Sequence, residues 1–180
     1  PRSTLFPYTT LFRSGSVDLS FNPGSGPNSG VYCLALLPDG KILIGGAFNS
    51  VGGKNINYLA RLLANGTVDD AFNIGTGANS YVYVLRPLSD GRFFVGGQFT
   101  RFNNQDRPYL LCLKADGAIE TEFNPGTGPN NSVVTLALQS DGKLILGGKF
   151  TQFNGLNQAY LARVRGFLTT QAFRFVSVQR

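Results

Sequence analysis

Asp39–Phe48 reads DGKILIGGAF, and the string returns as DGRFFVGGQF at Asp90–Phe99 and as DGKLILGGKF at Asp141–Phe150. The interval is 51 residues each time, and the chain from Gly15 to Arg165 overlays on itself at that shift without a gap. An internal period of this length marks a repeat architecture, in which one small unit cannot keep its apolar faces dry alone and stacks against its neighbours. Ile42, Leu43 and Ile44 are consecutive. In a strand they point alternately to opposite faces, so both faces need cover.

Working outward, VYCLAL (Val31–Leu36) precedes Asp39-Gly40 in the first copy, with counterparts from Val82 and Val133. Asp-Gly between two apolar runs is a hairpin signal, because those residues tolerate positive φ. YLARLL from Tyr58 supplies a third strand, and GTVDDAF from Gly66 a short fourth, with copies at Gly117 and Gly15. The pairs Gly45-Gly46, Gly96-Gly97 and Gly147-Gly148 predict places where a neighbouring backbone or aromatic ring comes close. Phe48, Phe99 and Phe150 are the expected inter-unit aromatics. No segment carries a 3.6-residue apolar spacing, and there are 23 glycines. The fold class is therefore all-β: tandem four-stranded antiparallel blades forming a partial β-propeller arc, with an open β-solenoid as the alternative. The units are 15–65, 66–116 and 117–165. Propellers typically have about 4 to 8 blades, so three form an arc whose two uncovered edges are prone to pair with another copy.

The two ends read differently. Residues 1–14, PRSTLFPYTTLFRS, match at every position the conceptual translation of a short-read sequencing adapter, and the chain contains no Met. A truncated chain is the expectation, with any secretory signal upstream. At 166–180 the unit should restart with Gly-x-Val-Asp, but GFLTTQAF carries no acid. The array stops there, or a different β module begins at FRFVSVQR.

Net charge is +6, but Arg2 and Arg13 lie in the adapter-like stretch and Arg174 and Arg180 in the tail. Without those four, twelve basic residues face ten acidic ones, a balance of +2. Phosphate tracking needs clustered Lys and Arg, so no nucleic-acid partner is expected. No apolar run approaches the ~18 residues of a membrane span. Cys33 and Cys112 fall at different repeat positions, which predicts free, half-buried thiols and no disulfide framework.

The chain has no His, which removes the commonest general base and metal ligand together. The recurring carboxylates, Asp18/Asp69/Glu120 and Asp39/Asp90/Asp141, occupy equivalent positions in every copy. A catalytic group is needed once, so these read as turn and strand-end residues. The loops FNPGSGPN (Phe21–Asn28), FNIGTGAN (Phe72–Asn79) and FNPGTGPN (Phe123–Asn130) precede strands, whereas a phosphate cradle precedes a helix. Asp69, Asp70 and Asn73 offer oxygens to calcium, against the plainer reading that Asn and Gly satisfy turns. No enzyme, metal or cofactor is expected. The copies diverge most at 49–57, 100–108 and 151–159, the longest connections, and Lys54, Asn104, Gln105, Asp106 and Arg107 there are the candidate ligand contacts.

The pattern G-x-V-D-x-x-F-N-x-G-x-G, then D-G-K-I-L-I-G-G-x-F, then Y-L-A-R-L, three times over 15–165, resembles the delta-60 repeat family of bacterial proteins. The resemblance implies propeller-like domains in large extracellular or cell-surface proteins, with no established catalytic residues. The expected function is a non-catalytic binding or adhesion scaffold for a protein or glycan, packed against neighbouring blades. Accessory blades of a larger extracellular carbohydrate-active enzyme are the alternative.

Overall fold

A computed structural model of the chain describes residue 15 and residues 17–165. The adapter-like stretch and the tail 166–180 lie outside the described residues. The described chain is all-β, in small antiparallel sheets, and one pattern repeats three times. In the first unit β1 (Val31–Leu36) pairs with β2 (Ile42–Gly46), and β2 with β5 (Leu59–Leu62), while β3 (Ser50–Val51) and β4 (Lys54–Asn55) form a separate miniature hairpin. The second unit repeats this as β6 (Val82–Pro87), β7 (Phe93–Gly97), β8 (Arg101–Phe102), β9 (Gln105–Asp106) and β10 (Leu110–Leu113). The third repeats it as β11 (Val133–Leu138), β12 (Lys143–Gly148), β13 (Gln152–Phe153), β14 (Leu156–Asn157) and β15 (Leu161–Arg165).

Each main sheet has three full strands. The fourth segment is reduced to one bridge, Leu62 to Val68 in the first sheet and Leu113 to Ile119 in the second. Its chain turns away immediately, because the Phe72 amide bonds back to the Asp69 carbonyl at 3.1 Å. In that segment one apolar residue is followed by acids, which gives a longer strand nothing to bury.

The Asp-Gly turns close three-residue loops: the Leu37 amide reaches the Lys41 carbonyl at 2.8 Å and the Gly40 amide the Leu37 carbonyl at 3.0 Å. Only the glycine is left-handed, at φ 80°. Asp39 instead accepts a bond from the Lys41 amide at 3.2 Å, so each residue of the pair has its own task.

The variable segments, read from sequence as long connections, contain the miniature hairpins. Gly52-Gly53, Asn103-Asn104 and Asn154-Gly155 all have positive φ at both positions, the condition for a two-residue turn that matches the twist of its strands. Asn154-Gly155 between Phe153 and Leu156 is the sequence signal for such a turn. The last Asn of each glycine-rich loop clamps the hairpin's first strand. Asn79 Oδ1 accepts from the Thr100 amide at 2.9 Å and the Arg101 amide at 3.0 Å, and Asn28 and Asn130 do the same in their units.

Consecutive sheets lie face to face and share their cores. Leu43 and Leu59 of the first sheet pack with Val82, Leu85, Phe93 and Val95 of the second. Phe94, Leu110 and Cys112 on the opposite face of the second sheet pack with Val133, Leu144 and Leu146 of the third. The glycine pair sets the approach. A β-carbon on Gly45 would lie 2.5 Å from Cγ1 of Val82, and one on Gly96 2.9 Å from Cγ1 of Val133. Over the first glycine of these two pairs the group that uses the bare strand is thus a β-branched side chain, whereas over the second glycine of every pair it is backbone, as expected from sequence: Gly30 O over Gly46, Tyr81 O together with the Phe99 ring over Gly97, and Ser132 O over Gly148. Phe48, Phe99 and Phe150 are fully buried. Phe99 and Phe150 join the shared cores, but Phe48 is covered within its own unit by Ile44, Val51, Ala60 and Leu62, so burial of this phenylalanine does not require a neighbouring sheet.

Candidate functional site

At the end of each sheet where β1 and its equivalents begin, the backbone makes an uncommon turn. Tyr58, Tyr109 and Tyr160 have φ of 63°, 63° and 66°. The amide after each tyrosine bonds the carbonyl before it, at 2.8, 2.7 and 2.8 Å. This is a three-residue γ-turn in the left-handed region, strained for a non-glycine residue. What holds it is a pair of flanking bonds: the Tyr58 amide donates to the Phe48 carbonyl at 2.9 Å, and the Tyr58 carbonyl accepts from Gly46 at 3.0 Å. The turn recurs in all three units, so it belongs to the fold.

Not all of the side chains around it recur. Register in β1 and β6 shifts between Val31 and Cys33 and between Val82 and Val84, which leaves Tyr32 and Tyr83 as bulge residues at the sheet edge. Tyr32 meets Tyr81 edge-on with centroids 6.0 Å apart and lies 5.8 Å from Tyr83. Tyr81 also touches Tyr58 at 5.8 Å and Tyr83 at 6.3 Å. Four rings from two sheets thereby form one patch, with Tyr32 52% and Tyr81 39% exposed. The Tyr83 hydroxyl donates to Gln98 Oε1 at 2.6 Å. Partial burial first, then the neighbouring Tyr32 and Tyr81 phenols, raise the Tyr83 hydroxyl above its ordinary value. One boundary further along, Ser132 and Val134 stand where Tyr81 and Tyr83 stand. The second boundary folds alike without those rings, so the patch is not a requirement of the repeat. Sequence comparison of the copies offers this signal at positions 81 and 83, but the adjacency of rings 49 and 51 residues apart needs the face-to-face stacking.

The candidate contacts are divided between two units. Lys54 and Asp70 are ion-paired on a cleft of about 350 Å³, whose walls include Asn57, Phe72, Asn73 and Thr76. The Asn57 side-chain amide donates to the Thr76 carbonyl at 3.0 Å and ties the first unit's hairpin to the second unit's glycine-rich loop. Asp106 and Arg107 border the corresponding cleft one unit on, about 120 Å³, with Phe123 and Asn124 opposite. Asp106 also accepts from Arg101 Nε at 2.9 Å, and Arg107 donates to the Asp106 carbonyl at 2.9 Å. Asn104 occupies the second turn position of its hairpin at φ 61°, and Gln105 follows it on β9 beside Phe102 and Asn103. The structure does not gather Lys54 with the other four into one constellation.

The recurring carboxylates have structural partners. Asp69 and Glu120 are buried and cap the amides of Ala71 and Glu122 at 3.1 and 3.0 Å. Asp90 and Asp141 accept from the amides two residues ahead, as Asp39 does. Asn22, Asn73 and Asn124 accept from Gly24, Gly75 and Gly126 at 2.9 to 3.0 Å, which accounts for these oxygens within the loops themselves.

Cys33 and Cys112 are free, the first half-buried and the second buried. Burial pushes both thiols up to about 12. Only a thiolate is a good nucleophile. Neither is expected to react with a disulfide reagent such as Ellman's at pH 8 in the folded chain, while both should react in denaturant. Rapid stoichiometric reaction without denaturant would contradict the burial described.

Comparison with known proteins gives one family. A family described as a domain of unknown function (DUF5122) beta-propeller matches residues 37–72, 88–123 and 139–165. No curated protein and no solved structure matches the chain.

Proposed function

The chain belongs to the DUF5122 beta-propeller family, and from that premise we propose that it is a non-catalytic binding scaffold of a secreted or cell-surface bacterial protein, engaging a glycan at the tyrosine patch. The observation that carries this reading is the cluster of Tyr32, Tyr58, Tyr81 and Tyr83 at the first sheet boundary, with Tyr32 and Tyr81 exposed and Tyr58 and Tyr83 half-buried, where the equivalent boundary has Ser132 and Val134 in place of Tyr81 and Tyr83. A pyranose ring presents C–H bonds on its faces and hydroxyls on its rim. Tyrosine offers a rigid apolar ring with a polar tip and little entropy to lose, which suits both. The rings touch one another, so the patch is a surface to lie upon rather than a cage for a cation. Gln98 is exposed beside it and supplies an amide. The hairpins bearing Lys54, Asn104, Gln105, Asp106 and Arg107 arise from the same end of the sheets and suit secondary contacts with a longer ligand.

The chain has 7 Tyr and no Trp, so its intrinsic emission reports on tyrosine alone. Titration with a panel of soluble bacterial and plant oligosaccharides is expected to perturb that emission for at least one member. Tyr32→Ala and Tyr81→Ala should each weaken its binding by roughly tenfold, as for loss of about 1.4 kcal/mol of contact. Both side chains are exposed enough for the sheets to survive. No binding across the panel, or binding indifferent to both changes, overturns the reading.

A further inference from the structure

We propose that Tyr32 and Tyr81 form an oxidative cross-linking site, at which hydrogen peroxide and a haem peroxidase join the two rings by a carbon–carbon bond and so tie the first unit to the second. This goes beyond glycan binding and requires no ligand. The two rings come from different units, yet their centroids are 6.0 Å apart. They are also the two most exposed members of the patch, so both are open to an oxidant in solution. A phenoxyl radical places much of its unpaired spin on the two ring carbons beside the one bearing oxygen, Cε1 and Cε2. Two such radicals held as neighbours couple there in an effectively unimolecular step.

The surroundings single out this pair. Tyr58 also touches Tyr81, but it is half-buried and its backbone is fixed by the bonds to Phe48 and Gly46. Tyr83 is half-buried, with its hydroxyl bonded to Gln98 at 2.6 Å. Tyr32 instead stands on a bulge at the sheet edge. In its own unit the counterpart of Tyr81 is Gly30, and a β-carbon on Gly30 would lie 3.1 Å from Cε1 of Tyr32. Glycine there leaves one coupling carbon uncrowded and lets the ring turn toward Tyr81. At the next boundary Tyr83 is the counterpart of Tyr32, but Ser132 stands in the place of Tyr81, so the pair is not repeated.

In the coupling each phenol gives up one electron and its hydroxyl proton, and the two radicals join through one Cε of each ring. The hydrogens displaced at the new bond move to the oxygens, which restores both phenols. The protein loses two hydrogens in all, and one hydrogen peroxide takes up the two electrons and two protons to become two waters. The link closes a loop between residues 32 and 81, which restricts the unfolded chain as a disulfide does. The chain has no such staple otherwise, because Cys33 and Cys112 are free.

The test treats the full 180-residue chain, dilute, with a haem peroxidase and hydrogen peroxide, and recovers the single-chain band from a denaturing gel. Tryptic mass spectrometry of that band should find the peptide ending at Lys41 joined to the peptide containing Tyr81, two hydrogens lighter than their sum, with fragmentation placing the bond at Tyr32 and Tyr81. Tyr32→Phe and Tyr81→Phe keep a ring but cannot form the phenoxyl radical, so each should lose this product. Tyr160→Phe, which removes a tyrosine 64% exposed and outside the patch, should retain it. Matching far-UV circular dichroism checks that the variants fold. A single-chain band without the cross-link, a bond mapped to another pair of tyrosines, or a product that survives either patch variant overturns the proposal.

Discussion

Gly97→Ala is expected to destabilise the chain by about 3 kcal/mol or more, the upper range for forcing a group into packed structure. The added carbon would sit 2.2 Å from the Tyr81 carbonyl oxygen, a backbone atom that cannot rotate aside, and 2.9 Å from the Phe99 ring. That carbonyl already accepts the Gln98 amide at 2.8 Å, so moving it also breaks the bond that joins the end of β7 to the start of β6. The same obstruction stands over Gly46, 2.1 Å from Gly30 O, and Gly148, 2.1 Å from Ser132 O, which explains why the second glycine of the pair recurs in every copy. Gly53→Asn is the control. Asn104 occupies the matching turn position at φ 61°, and nothing lies within 4 Å of a β-carbon on Gly53, so its effect should stay within about 0.5 kcal/mol. Urea midpoints followed by circular dichroism compare the two. Equal midpoints for Gly97→Ala and the unaltered chain would remove the steric account.

The glycine pairs also show how far the sequence can be read. Their recurrence at a fixed period, beside continuous apolar strands, is enough to predict face-to-face stacking of β units, because no isolated sheet keeps Leu43 and Ile44 both dry. What approaches the bare strand is a different matter. Val82 lies 37 residues from Gly45 and is distinguished from its neighbours only by register, which a bulge at Tyr32 and Tyr83 shifts by one. From sequence the miniature hairpins read as long connections: Asn154-Gly155 carries a turn signal, but Asn103-Asn104 and Gly52-Gly53 vary so much that the shared turn is visible only once the backbone is compared. The fourth strand stays a single bridge for a physical reason: Val68 and Ile119 are followed directly by acids, and the next large apolar residues, Phe72 and Phe123, come only after the chain has turned, so the segment has period without amphipathicity. The tyrosine patch was least legible, since its rings come from consecutive units and only their stacking makes one surface of them.

The first sheet also carries an ion pair that the second lacks, and its loss should rank with Gly97→Ala in effect. Arg61 and Asp69 are 8% and 6% exposed, and Arg61 Nε lies 2.8 Å from Asp69 Oδ2. Lys41 approaches the same oxygen at 3.2 Å. Asp69→Asn keeps an oxygen for the Ala71 amide but leaves two cations facing each other, one of them buried. Breaking a buried pair from one side costs about 3 to 5 kcal/mol, and the exposed part of Lys41 places this case at about 3. Position 61 is Cys112 in the second unit, so the sheet itself does not require arginine. Arg61→Leu added to Asp69→Asn is therefore expected to recover about half of the loss, the coupling that distinguishes an orphaned charge from a lost contact. The pH dependence has a definite sign. Burial acts to raise the Asp69 carboxyl, and bonds from Lys41, the Ala71 amide and Arg61 outweigh it, leaving it below its ordinary 3.8. A carboxyl held low in the folded state contributes stability above its unfolded pKa, about 3.9, and that contribution disappears as pH falls through the folded value. The difference in urea midpoint between the unaltered chain and Asp69→Asn should accordingly be full at pH 7 and shrink below about pH 4. A difference that stayed constant down to pH 2 would mean that the charge on Asp69 is not what holds Arg61 in place.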